Sequence, residues 1–270
     1  MCGATERVVV AERRAVITLY GMSSPNVRKV LIALEEIGLA YRTERIAVFR
    51  GEQFEPPFLG LNPMAKVPVL VDPDGPAGPA PIFESGAILI YLAETYAPQF
   101  HPAAGPARWE VLKWLMVQVA NVGPALGQHS HFRLQADENP YAARRFRHMA
   151  AQVYRALEHR LGEAEWLGGE AYSIADMATW PWARYLKRHG LDPAEFPRLE
   201  AWKARIATRP AVERAAQAIL AWGDADYADR TNATPEQRER FAGLHIPAPS
   251  AQAAGTYRGQ TERRKREGRE

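Results

Sequence analysis

AVITLYGMSSPNVRKVLIALEEIGL, residues 15–39, decides how the rest of the chain is read. Its first part, AVITLYG, is apolar and β-branched and ends at a glycine, the pattern of a buried strand. SSPN, residues 23–26, is a turn. In the remainder Val27, Val30, Leu31, Leu34 and Ile37 recur at helical spacing, and Gly38 supplies the stop. Outward from this unit, YRTERIAVF (residues 41–49) reads as a second strand, and KVPVLVD (66–72) as a third with a proline near its start. PDGPAGPAP (73–81) is a Gly- and Pro-rich turn, and IFESGAILIYLAETY (82–96) passes from a short strand into an amphipathic helix.

The order β-α-β followed by β-β-α predicts a mixed sheet with helices on its faces, which is the thioredoxin arrangement when the crossover is right-handed. After a break at residues 97–106 only helical patterns remain. ARWEVLKWLMVQVANVG (107–123) is helical, with Pro124 kinking or ending it. YAARRFRHMAAQVYRALEHRLG (141–162) is a long helix, and SIADMATWPWARYLKRHG (173–190) opens with a capping box of Ser173 and Asp176. A last helical stretch, residues 196–219, is broken at Pro210. The expected fold class is therefore α/β plus all-α. An extension (1–14) precedes a thioredoxin-like domain (15–98) and an all-helical domain (105–222), and a charged, Pro/Ala-rich flexible tail (223–270) follows.

A chain of 270 residues can bury a full core in one or two domains, and 47% hydrophobic with 24% charged residues places it among ordinary globular proteins. The net charge of +3 is small, and the basic end, TERRKREGRE, lacks interleaved aromatics, so it reads as a solvated tail rather than a nucleic-acid arm. The single cysteine, Cys2, excludes an intrachain disulfide, a Cys-based zinc site and a C-x-x-C redox pair, and it reads as a free thiol. No signal peptide or transmembrane span is visible, and a cytoplasmic protein without membrane, metal or nucleic-acid partners is expected.

Three places in the first domain bear on chemistry. The turn at Ser23, Ser24, Pro25 and Asn26 opens a helix, where unpaired N–H groups and the dipole favour an anion. Reductases of the thioredoxin kind hold their cysteine pair at this turn. Hydroxyls and an amide stand here instead, so this chain has no thiol of its own at the turn but can stabilise a thiolate that arrives with a ligand. Lowering a thiol from about 8.5 by two units takes about 2.7 kcal/mol. One or two hydrogen bonds to the charged sulfur, at about 1.5–3 kcal/mol each, are enough. Spacing alone is equally satisfied by Ser24 or Asn26 as a plain helix cap. At Lys66-Val67-Pro68, a proline at a strand start, cis or trans, forfeits a ladder donor. In the cis form it exposes Val67's N–H and C=O to an extended peptide, but an ordinary edge proline fits as well. At Phe83-Glu84-Ser85-Gly86 a helix begins: Ser85 suits a carboxylate and Glu84 an ammonium, the two charges of an α-amino acid head group, though a cap explains them too.

Together, in this order and spacing, the three places resemble the glutathione transferase superfamily, over about residues 15–219. More narrowly the chain resembles its bacterial nu class, through SSPNVRKV, GEQF, NPMAKVPVLVD, PIFESGAILIYLAE, VGPALGQHSHF, PYAARRF and WLGGEAYSIADMATWPW. The resemblance implies glutathione as co-substrate, a homodimer, and reduction of disulfides without a catalytic cysteine. It implies Ser24 and Asn26 beside the sulfur, Gln53 and Lys66 toward the peptide's glycyl end or backbone, and Val67 on the cysteinyl backbone. Glu84 and Ser85 would hold the γ-glutamyl group, and Arg145 would reach the site from the helical domain. Ser24 replaces the class's threonine, and Val27 replaces the glycine usual after the asparagine, narrowing the turn. His131, Phe132 and Tyr141, with His129, Trp180 and Trp182, are candidates for the wall of a second-substrate pocket or for core packing. Conjugation of glutathione to electrophiles, thioether cleavage, and a non-catalytic binding or regulatory module stay open.

Overall fold

The computed structural model describes residues 16–76 and 78–244; Cys2, the 1–14 extension and the basic end lie outside the described residues. Strand β1 (Ile17–Gly21), helix α1 (Pro25–Ile37) and β2 (Tyr41–Arg45) form the first unit, and β1 and β2 pair in parallel across the helix. Helix α1 ends at Gly38 with φ 77°, a left-handed cap that glycine adopts without a Cβ penalty. A one-turn helix α2 (Pro56–Leu59) then leads to β3 (Val69–Val71) and β4 (Pro81–Phe83), both antiparallel to their neighbours, and to α3 (Ser85–Tyr96). The sheet order β2-β1-β3-β4 is the mixed sheet that the sequence predicts. The strands are shorter than their apolar runs: the second ends at Arg45, where the chain turns into a short 3₁₀ segment, Val48–Arg50.

The helical domain begins with α4 (Gly105–Val117) and α5 (Gly123–Phe132), joined by a π-helical turn, Gln118–Val122. Pro124 sits in the first turn of α5, so the missing N–H falls where the helix is already irregular and the axis continues beyond it. Next come α6 (Pro140–Glu163) and α7 (Ile174–Ala183). The Ser173–Asp176 capping box is present, but α7 stops two residues after its internal Pro181 rather than running to Gly190. Helix α8 (Pro197–Ala207) follows, and Pro210 opens α9 (Pro210–Thr231). Helix α1 lies between the sheet and α7 with α9, and one apolar core runs through both domains by way of Leu31, Leu34, Leu89, Leu115, Met177 and Ile219.

The helical part does not give way to a tail at Gly223. Helix α9 continues to Thr231, and a capped α10 (Pro235–Phe241) follows. The apolar periodicity fades because the inward face of these last turns is made of carboxylates. Asp226 and Asp229 are 3% and 5% exposed, and they take Arg45 and Arg50 of the first domain. A charge is tolerated there because each is paired and hydrogen-bonded.

Candidate functional site

Strand register brings the three chemistry-bearing places together. Tyr20 pairs with Val69, and Val69 with Phe83. The end of β1, the start of β3 and the end of β4 therefore lie side by side, and the residues just beyond them (Ser24, Val67 and Glu84) share one edge of the sheet. The end of β2, where Arg45 pairs with Gly21, delivers the segment that carries Gln53 to the same side.

Ser24 is the N-cap of α1: its Oγ accepts from the Val27 N–H at 3.4 Å, which leaves its own O–H free to donate. Pro25 has no N–H, and the N–H of Asn26 takes no partner among the described residues. Asn26 is oriented from the helical domain. The indole Nε1–H of Trp182, which can only donate, reaches Asn26 Oδ1 at 3.0 Å and turns the amide NH₂ the other way. The Ser23 N–H is taken by Asp226 Oδ2 at 2.7 Å, so α9 fixes the turn from the far end of the chain. Val27 does not crowd the turn. Its side chain is fully buried against Gly21, where an added Cβ would meet Val27 Cγ1 at 2.7 Å.

The Val67–Pro68 peptide is cis, and neither Val67's N–H nor its C=O takes a partner among the described residues. Asn62, buried in the preceding loop, accepts from the Met64 N–H and donates to the Lys66 carbonyl at 2.7 Å, which holds the approach to Val67. Lys66 itself is exposed. Gln53 is 3% exposed with its Oε1 buried and unpartnered, an acceptor in want of a donor. Glu84 has φ 69°, left-handed backbone that a non-glycine residue enters only at a cost of about 1–3 kcal/mol. Its exposed side chain stands before Ser85, the first residue of α3.

Beneath Ser85 lies a residue that the sequence reading missed. Lys29 is 2% exposed; its Nζ donates to Ser85 Oγ at 3.2 Å and to Gln118 Oε1 at 2.6 Å. Ser85 thus accepts from below and keeps its O–H to donate upward. Its signal was a cation set directly before the apolar run Val30–Leu34 of a helix in which Val27 and that whole run are buried. Burial pulls Lys29 down to about 7, with Glu84 opposing. In the unfolded chain the group titrates near 10.5, so between those values the unfolded state binds more protons and stability rises with pH. The unfolding free energy is expected to increase from pH 7 to pH 10 in urea titrations, and Lys29→Met is expected to flatten that rise. An equally steep rise in the variant would contradict this.

A pocket of about 360 Å³ opens beside Pro25, walled by Trp182, His131, Phe49 and Phe241. Phe241, from α10, meets Phe49 with ring centroids 4.6 Å apart, so the C-terminal helix closes one side. Of the expected wall residues, His131 lines this pocket. Phe132 does not: it stacks on Phe146 at 5.3 Å, with its ring edge-on to His131. Tyr141 and Arg145 do not reach the site within one chain. They stand at helical spacing on a face of α6 distinct from its buried Ala150, Tyr154 and Leu157, and line a separate groove of about 540 Å³ with His148. Trp180 is core, its Nε1 donating to the Lys203 carbonyl at 3.0 Å. His129 is buried, with Nε2 on the His189 carbonyl at 3.0 Å. Among the described residues no group of His, Cys, Asp or Glu is placed to hold a metal ion, and no helix is long and apolar enough to cross a membrane.

Comparison with known proteins agrees with this geometry. The glutathione S-transferase N-terminal domain family matches residues 23–95, and the C-terminal domain family matches residues 124–210. The chain is 42% identical over 202 residues to the disulfide-bond oxidoreductase YfcG of Escherichia coli, covering 74% of this chain and 94% of that protein. It is 33% identical to the disulfide-bond oxidoreductase YghU of the same organism, over 78% of each chain. Among solved structures, a glutathione transferase family member from Pseudomonas fluorescens with two glutathiones bound superposes with a TM-score of 0.70 at 37% identity, covering 76% of this chain and 94% of that one. A Pseudomonas putida glutathione transferase with one glutathione disulfide per subunit gives 0.70 at 34% identity, over 76% and 93%. With a cis-proline strand, a Glu-Ser helix start and an all-helical second domain in the same order, this chain belongs to the glutathione transferase family.

Proposed function

We propose that the protein is a glutathione-dependent disulfide-bond oxidoreductase, acting as a cytoplasmic homodimer. The observation that carries this reading is the turn at α1. It offers the Ser24 O–H, the Asn26 NH₂ and the Asn26 N–H to an anion, while no cysteine stands at that turn. In this reading Ser85's O–H binds the γ-glutamyl carboxylate and Glu84 its ammonium. Val67's free backbone groups pair with the cysteinyl residue as an added strand. Gln53 and Lys66 take the glycyl end.

The sulfur then rests as thiolate at the Ser24–Asn26 turn. It attacks one sulfur of a substrate disulfide; that S–S bond breaks, and the leaving sulfur departs as thiolate and takes a proton from water. A second glutathione thiolate attacks the glutathione sulfur of the mixed disulfide, releasing the substrate's other thiol and glutathione disulfide. Two glutathiones are oxidised and one disulfide is reduced.

The test measures turnover of bis(2-hydroxyethyl) disulfide with glutathione against conjugation of chlorodinitrobenzene. Fast disulfide reduction with slow conjugation is expected. Fast conjugation without disulfide reduction would turn the reading to a conjugating transferase, for which the Phe49–Phe241 wall would serve as an apolar substrate surface.

A further inference from the structure

Behind the pocket at Pro25 lies a second cavity of about 760 Å³, between α5, the start of α6 and the turn after α7. Arg133, Arg144, Arg147 and Arg188 line it, and no Asp or Glu does. None of the four has a carboxylate partner among the described residues; Arg188 has only the Tyr185 ring, 5.9 Å away. Elsewhere Arg108, Arg160, Arg209 and Arg214 are paired with glutamates, and arginines without an ion pair among the described residues, such as Arg155 and Arg230, are spread over other faces; what distinguishes these four is that they converge on one cavity. Two polar atoms of the lining residues are also buried without a partner, Arg133 Nε and His129 Nδ1. His129 is 4% exposed, so it is a built wall of the cavity and not a surface side chain.

The cavity is not isolated from the reaction centre. Arg133, Arg188 and His189 line both it and the pocket at Pro25 and Trp182. Unpaired guanidiniums around one cavity repel one another and offer forked donors, and carboxylate or phosphate oxygens satisfy both conditions at once. We propose that this arginine cavity docks the anionic end of the second substrate, so that the disulfides this protein prefers carry carboxylates. The inference rests on the disulfide-reductase reading and adds the substrate class to it. The preference is made by the protein, because a free thiolate reacts more slowly with an anionic disulfide than with a cationic one.

Three small disulfides test it with glutathione as reductant: dithiodipropionate (dianionic), bis(2-hydroxyethyl) disulfide (neutral) and cystamine (dicationic). At low salt kcat/KM for the dianion is expected to exceed that for the neutral compound by about tenfold or more, with cystamine lowest, and the ratio is expected to shrink as salt is raised. The double variant Arg144→Gln/Arg147→Gln, both exposed on α6, is expected to bring the ratio to about threefold or less while turnover of the neutral disulfide stays within about twofold. A parent ratio near one, or a ratio unmoved in the variant, would overturn the proposal. Absence of turnover with all three would overturn the reductase reading instead. Calorimetry of dithiodipropionate alone then decides the docking site: binding weakened about tenfold in the variant supports it, and equal or absent binding in both proteins refutes it.

Discussion

Asp176→Ala is expected to lower the unfolding free energy by about 3–5 kcal/mol, the largest effect of any single substitution considered for this fold. Asp176 is fully buried at the first turn of α7. Its two oxygens collect four donors: the N–H of Leu167 at 2.9 Å, the N–H and Oγ of Ser173 at 3.0 Å each, and Nε1 of Trp202 at 2.9 Å. Burial pushes its pKa up, and those same donors hold it down. Removing the carboxylate leaves donors from three segments buried without acceptors, and each carries its own desolvation cost. Urea unfolding reads the effect. Asp176→Asn keeps one acceptor oxygen and is expected to cost less than the alanine. A loss below about 1 kcal/mol for the alanine would show that this cluster does not hold the helical domain together.

The second large effect falls on chemistry. Asn26→Ala is expected to reduce glutathione-dependent disulfide turnover by about 10- to 100-fold, which corresponds to losing one hydrogen bond to a charged sulfur. The cost to the fold is expected to be small, about 1 kcal/mol, because Asn26 is half-buried and caps nothing, and the one bond lost is that from the Trp182 indole. Trp182→Phe keeps the amide but frees it to rotate, so it is expected to lose less, about three- to tenfold, with the loss in kcat rather than in KM for glutathione. Ser24→Ala removes a donor and also the N-cap, so it combines an activity loss with about 1 kcal/mol of stability. Equal activity in Asn26→Ala and the parent would take the amide out of the mechanism.

How much of this was legible beforehand follows from where each residue type sits. The β-α-β start was readable because β1 is a short, apolar and β-branched run, apolar residues recur at helical spacing along α1, and the two end at Gly21 and Gly38. The α7 capping box was readable because its two partners are local, Ser173 and Asp176. What could not be read depended on partners far away in the chain. Asp226 and Asp229 looked like a solvated tail because their burial is licensed by Arg45 and Arg50, about 180 residues earlier. Lys29 was hidden for the same reason: its partners are Ser85 and Gln118. Asn26 could be named from its turn, but the indole that aims its amide, Trp182, lies 156 residues on. The room for Val27 could not be read from the turn itself, because it is made by the missing side chain of Gly21. Arg145 was assigned by resemblance and Tyr141 as a candidate pocket wall, and helix phase on α6 sends both to another groove.

The central claim is that this chain holds another molecule's sulfur as a thiolate at a turn that carries no cysteine. The most direct test is the thiol pKa of bound glutathione, read from thiolate absorbance in the near ultraviolet as pH is raised. In the parent protein it is expected about two units below the ordinary thiol value of about 8.5. In Ser24→Ala/Asn26→Ala it is expected to return most of the way to that value. A bound thiol in the parent that titrates where free glutathione does would contradict the account.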